Sequence, residues 1–221
     1  MAESKHTDTK DVHAMAAGDQ FWAVRGKAIE SYAHVEHGLL LLFSSFVGVK
    51  PDVASVIFFR ITNPRVLSEI LDILLEKKHP KQYSNFWSSL DKMIRELSEM
   101  RNRVVHWVVS LYADKHGYKG IGLVPPDFFN KKPGAKASVR TEELMDFIAK
   151  CEFVWSLCNM FAMFLDPDVT PHWTPEELQT WRDIFQQPVA YPPPNTHPLF
   201  LTPKESESPL QPLRASISIS L

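Results

Sequence analysis

From Asp19 to Val104, and again from Thr141 to near Gln187, the apolar residues recur at three- and four-residue spacing, broken by short runs that carry proline, glycine or asparagine. That period is one face of an α-helix, so the chain has to bury several helical stripes against one another. Asp19 is placed to cap a first helix, with Ile29, Tyr32, Val35, Glu36, Leu39, Leu40 and Phe43 on its stripe and Gly48 as its stop. Pro51 opens a shorter helix through Val56, Phe59 and Ile61. Asn63-Pro64 restarts the chain, with asparagine as cap and proline in the first turn. Leu67, Ile70, Leu71 and Leu74 form the stripe of this third helix, and Lys77-Lys78-His79-Pro80 ends it. A fourth helix begins near Gln82 or Ser84 and carries Phe86, Leu90, Met93, Ile94, Leu97, Met100 and Val104.

Beyond the fourth helix the period changes. Trp107 to Ala113 is β-branched and weakly alternating, 114–117 is turn chemistry, and Tyr118 to Val124 reads as a returning strand. Residues 125–138, with Pro125-Pro126 and Pro133-Gly134, read as a loop. Thr141 opens a fifth helix running to Leu165, and Thr174-Pro175 a sixth ending near Gln187. The expected fold is all-α: an antiparallel bundle of five to six helices with a small β-hairpin inserted after the fourth helix. Residues 1–16 are expected to be a disordered N-terminal tail and 17–187 one helical domain. Residues 188–221, which hold eight of the 17 prolines, are expected to be an extended or disordered tail.

Charge narrows the function classes. A formal net charge of -2 gives no general grip on long duplex nucleic acid or on an anionic membrane, though it leaves room for a local basic site. The first residues lack the apolar core of a leader, and the longest apolar run, Gly38 to Val49, is too short to span a bilayer. Cys151 and Cys158 are about 10 Å apart along one helix, too far for a disulfide, and read as reduced apolar residues. A cytoplasmic protein without a membrane partner is expected.

There is no glycine-rich phosphate loop, no Cys-x-x-Cys and no His-Glu-x-x-His, so neither cofactor nor metal is expected. His34 and His37 can share a helix face but lack a clear third ligand. The distinctive run is Arg101-Asn102-Arg103-Val104-Val105-His106. Arginine offers a permanent planar fork for phosphate oxygens, and histidine takes and gives protons near neutral pH. With Asn102 beside them, Arg101 and His106 are suited to hold a phosphodiester, activate a 2′-hydroxyl and offset charge on phosphorus, which makes RNA the substrate. On one regular helix, however, Arg101 and His106 diverge by about 140°. Chemistry that uses both therefore needs a distorted helix end or a two-fold homodimer.

Arg-Asn-x-x-x-His near the end of a long helix in an all-helical bundle resembles the signature of the HEPN superfamily, an arginine followed after four to six residues by a histidine. Arg101 and His106 match with four residues between them, and Asn102 matches the polar residue often found after the arginine. The segment Tyr32 to Leu39 resembles first helices of that family, which often carry an acidic residue facing the motif; here that is Glu36. The resemblance spans residues 17–165. It implies a metal-independent endoribonuclease acting as a homodimer in a toxin, phage-defence or RNA-processing setting, with a protein antitoxin or regulator as a further partner. It equally implies non-catalytic relatives that serve as interaction or nucleotide-binding modules. Toxin members paired with nucleotidyltransferase antitoxins often have a tyrosine two residues after the histidine, where Val108 stands here.

The remaining candidates keep two readings each. Arg101 and Arg103 are either phosphate ligands or solvated charges near Glu96 and Glu99, and His106 is either a proton carrier or a satisfied neighbour of Trp107. Glu36 either orients Arg101 or His106 or makes a structural salt bridge to an arginine, since a carboxylate on an apolar stripe is costly unless paired. Trp107 either stacks on a base or packs at the rim. Lys131, Lys132 and Lys136 either guide RNA or line a solvated loop.

Overall fold

A computed structural model describes residues 9–114, 117–126 and 138–200. Among the described residues there are six α-helices and one small sheet: α1 (Thr9–Val47), α2 (Pro51–Phe58), α3 (Pro64–Lys78), α4 (Ser84–His106), β1 (Val108–Asp114), β2 (Gly117–Val124), β3 (Val139–Arg140), α5 (Thr141–Phe164) and α6 (Pro175–Phe185). The architecture is a helical bundle with a sheet inserted after the fourth helix, as the apolar periodicity requires. Asn63 Oδ1 accepts from the amides of Arg65 and Val66 at the start of α3. Thr174 and Glu177 exchange hydrogen bonds at the start of α6. Both caps satisfy amides that a helix N-terminus leaves without partners.

The most extensive interface joins α1 and α5. Gly38 permits their approach: a β-carbon there would lie 2.9 Å from Cβ of Cys158. α5 is apolar on nearly all sides because it packs against both α1 and α4. Its Phe161 stands 4.9 Å from the ring of Phe86 and 4.8 Å from that of Phe185, joining α4, α5 and α6 in one aromatic core. Cys151 and Cys158 lie within this core as free thiols, and burial pushes both up to about 12.

The structure corrects the sequence-based picture at several places. α1 begins at Thr9, so the helix covers residues 9–16 that composition marks as disordered; residues 1–8 lie outside the described residues. A third strand, β3, completes the sheet in the order β1-β2-β3, pairing Gly122 with Arg140 and Leu123 with Val139. Two residues carry no period, so only the tertiary pairing reveals this strand. Leu123 and Val139 are fully buried and anchor the sheet to the bundle. The tail is extended but attached over 188–200. There Val189, Tyr191 and Leu199 pack on the core, and the Val189 amide donates to Ser89 Oγ at 2.7 Å. Residues 201–221 and most of the 125–138 loop, with Lys131, Lys132 and Lys136, lie outside the described residues.

Gly38 to Val49 is also not the most apolar stretch. Among the described residues α5 is long and apolar enough to cross a membrane, and half of its most apolar window is buried inside the bundle. α1 from Gly18 and α2 meet the same test only when taken together, and they are bent by 109° at their junction.

Candidate active site

The last two turns of α4 project their polar residues in different directions. The buried stripe Leu90, Ile94 and Leu97 faces the bundle, and Arg101 continues it one turn further on. Its guanidinium therefore meets α1, where Tyr32 and Glu36 share a face with Leu39, Leu40 and Phe43. Arg101 Nη2 lies 3.9 Å from Glu36 Oε1, with both side chains half-buried. Its Cζ sits 5.5 Å from the centre of the Tyr32 ring. Arg101 Nη1 donates to Asn102 Oδ1 at 3.2 Å.

The electrostatics follow from this partial burial. Burial pushes the Glu36 carboxyl above the usual carboxylate range, and Arg101 pulls it back only in part. Burial raises the Tyr32 phenol as well, against the opposing pull of Ser98 and Arg101. Glu36 thus stands at Arg101 and not at His106, a position that both of its readings share. Glu96 pairs instead with Lys150 at 2.7 Å.

The helix end is a separate cluster. His106 is exposed, and among the described residues its imidazole makes no hydrogen bond or ion pair. Asn102 is exposed too. Arg103 lies with Cζ 5.8 Å from the centre of the Trp107 ring, one turn along. The structure thus joins Glu36, Arg101 and Asn102 within one chain, and pairs Arg103 with Trp107. His106 does not join the first group, as the divergence on a helix requires.

Arg25 carries no sequence signal and is the residue that organises this end. Its Nε donates to the Val104 carbonyl at 2.9 Å. Its Nη2 donates to the carbonyls of Val105 at 3.2 Å and Trp107 at 3.1 Å. Carbonyls in the last turn of a helix lack intrahelical donors, and a guanidinium fork from a neighbouring helix supplies them with charge of the favourable sign. Burial lowers the Arg25 pKa from its ordinary value. The backbone below His106 is thereby fixed to α1. No local pattern could identify Arg25, because its partners lie far along the chain and are backbone atoms.

A cavity of about 340 Å³ opens next to Arg101, between α1, α3, α4 and the α2–α3 connection. Asp91 on α4 reaches it, almost fully buried, and is held by the Ser68 hydroxyl and by Arg95. His34 and His37 are exposed, and the His34 ring lies 5.3 Å from that of Trp155. Among the described residues no three His, Cys, Asp or Glu side chains gather as a metal-binding group.

Comparison with protein-family models, with curated proteins and with solved structures returns no match for this chain.

Proposed function

We propose that this chain is a metal-independent endoribonuclease that works as a homodimer in the cytoplasm. The observation that carries the proposal is the state of His106: an exposed imidazole, without a partner among the described residues, on a helix end that Arg25 holds in place. A buried, satisfied imidazole could not reach a substrate, and His106 is not one. An exposed histidine on a fixed backbone is what proton transfer to a docked substrate needs. Because Arg101 faces α1 rather than His106, this chemistry requires a dimer: a two-fold axis beside α4 would set the Arg101 of one protomer near the His106 of its partner.

In the proposed reaction a ribose 2′-hydroxyl attacks phosphorus and the bond from phosphorus to the 5′ oxygen breaks. The products are a 2′,3′-cyclic phosphate and a 5′-hydroxyl. One His106 takes the proton from the 2′-hydroxyl and the second returns a proton to the leaving oxygen. Arg101 offsets the charge that builds on the non-bridging oxygens. Glu36 and Asn102 orient Arg101, and Arg103 and Trp107 lie along the approach to the helix end. A protein antitoxin or regulator would act by covering this dimer cleft.

The second reading is a non-catalytic nucleotide-binding module of the same fold, and the cavity beside Arg101 favours it. RNA cleavage in the presence of EDTA separates the two. Wild type is expected to cleave, with Arg101→Ala and His106→Ala each slower by about 10²-fold or more. Sedimentation should show a dimer for all three. Equal cleavage by all three, or a monomeric active species, refutes the nuclease proposal.

A further inference from the structure

The cavity beside Arg101 is not explained by phosphate binding. Its walls are apolar and aromatic, from Leu39, Phe58, Trp87 and Ile94, and Phe59, Thr62 and Pro64 lie exposed at its mouth. At about 340 Å³ it falls within the range of about 300–1,000 Å³ typical of small-molecule sites. Glu36 and Arg101 line the same space, and their 3.9 Å separation is longer than a hydrogen bond. Glu36 accepts no hydrogen bond from the described residues, so both carboxylate oxygens retain their capacity. A cavity with apolar and aromatic walls that sets a guanidinium donor next to two carboxylate acceptors has a defined complement. It is a planar ring whose edge presents one acceptor followed by two donors.

We infer that this cavity is a guanine-base site, with the purine between the apolar walls, Arg101 Nη2 donating to O6, and the Glu36 carboxylate accepting from N1–H and the 2-amino group. Guanine alone among the four RNA bases fills both carboxylate oxygens from one edge. Adenine, cytosine and uracil each offer Glu36 a single position of donors and leave the other oxygen without a partner. A site built around paired polar groups rejects analogues that leave those groups unpaired. Arg101 can serve both the base and a phosphate, because Nη1 is turned to exposed Asn102 while Nη2 is turned to Glu36. The inference deepens the RNA proposal by naming the base, and it can be tested without any cleavage.

The test is titration calorimetry of the full-length chain with guanosine, inosine and adenosine. Guanosine should bind roughly ten- to hundredfold tighter than inosine, which lacks only the 2-amino donor, and adenosine should bind more weakly still. His106→Ala should bind guanosine like wild type, which keeps this result separate from the fate of the nuclease proposal. Glu36→Gln should erase the guanosine-over-inosine preference. Leu67→Trp, which fills the cavity, should abolish binding, and Ile61→Trp at the α2–α3 connection repeats that test if the first variant fails to fold. Cleavage of RNAs of defined sequence then identifies the source of the base. Loss of selectivity for guanosine next to the cut in the filled variant means the site reads the RNA, whereas unchanged cutting with lost nucleoside binding means it holds a free guanine nucleotide. No binding of guanosine, or adenosine binding as tightly as guanosine, overturns the inference.

Discussion

Gly26 and Gly38 lie on the same helix, yet the same substitution should act on them in opposite directions. A β-carbon at Gly26 would meet nothing within 4 Å. Gly26→Ala should therefore express only the gain in helix propensity and the loss of unfolded-chain freedom, about 0.5–1 kcal/mol of added stability. A β-carbon at Gly38 would lie 2.9 Å from Cβ of Cys158 and 3.4 Å from Cδ1 of Trp155, at the contact between α1 and α5. The first of these neighbours is the root of a fully buried side chain and cannot swing aside. The two helices must separate instead, at an overpacking cost of about 1–3 kcal/mol. After the same propensity gain, Gly38→Ala should be destabilising by up to about 2.5 kcal/mol. The difference between the two variants isolates the packing cost, because the propensity change is common to both. At about 2–4 °C per kcal/mol for a domain of this size, they should melt roughly 2–12 °C apart. Thermal and urea denaturation of both variants measure this. If Gly38→Ala proves as stabilising as Gly26→Ala, the close approach of α1 and α5 is wrong.

Two further substitutions probe the site itself. Arg25→Ala removes three charge-assisted hydrogen bonds from the end of α4; it should cost about 2 kcal/mol and speed amide exchange at Trp107, whose N–H donates to Arg103 at the same turn. Unchanged stability together with unchanged exchange would show that Arg25 does not hold the helix end. Glu36→Gln tests the raised carboxyl pKa. Because folding raises this pKa, its contribution to stability is fully present below the unfolded value and is lost as pH rises through the folded one. The glutamine variant should therefore gain on wild type between pH 4 and pH 7 in denaturation midpoints, and a wild type that gains over that range contradicts the assigned burial.

Much of the fold was legible because helical burial leaves a local period. The stripe from Phe86 to Val104 marks α4, and Asn63-Pro64 and Thr174-Pro175 mark two helix starts with the chemistry their free amides require. What had no period was not legible. β3 is two residues long, and residues 188–200 are irregular and held by side-chain packing and by a hydrogen bond to Ser89. The helical start of α1 at Thr9 is likewise set against local composition. The site divides in the same way. Arg101, Asn102 and His106 were apparent as a motif, and Glu36 as a carboxylate out of place on an apolar stripe. Arg25 was not, since a cation that caps a distant helix leaves no trace in its own neighbourhood.

By itself the sequence determined that the chain forms helices, where most of them begin and stop, and that Arg101 and His106 leave one helix in different directions. All of these depend on residues a few positions apart. Only the tertiary structure decided that Arg101 turns to Glu36 beside a cavity, that His106 is exposed on an end clamped by Arg25, and that Gly38 is where two helices touch. Those depend on which stripes meet and at what distance, and that is settled by packing across the whole bundle rather than by any local run of residues.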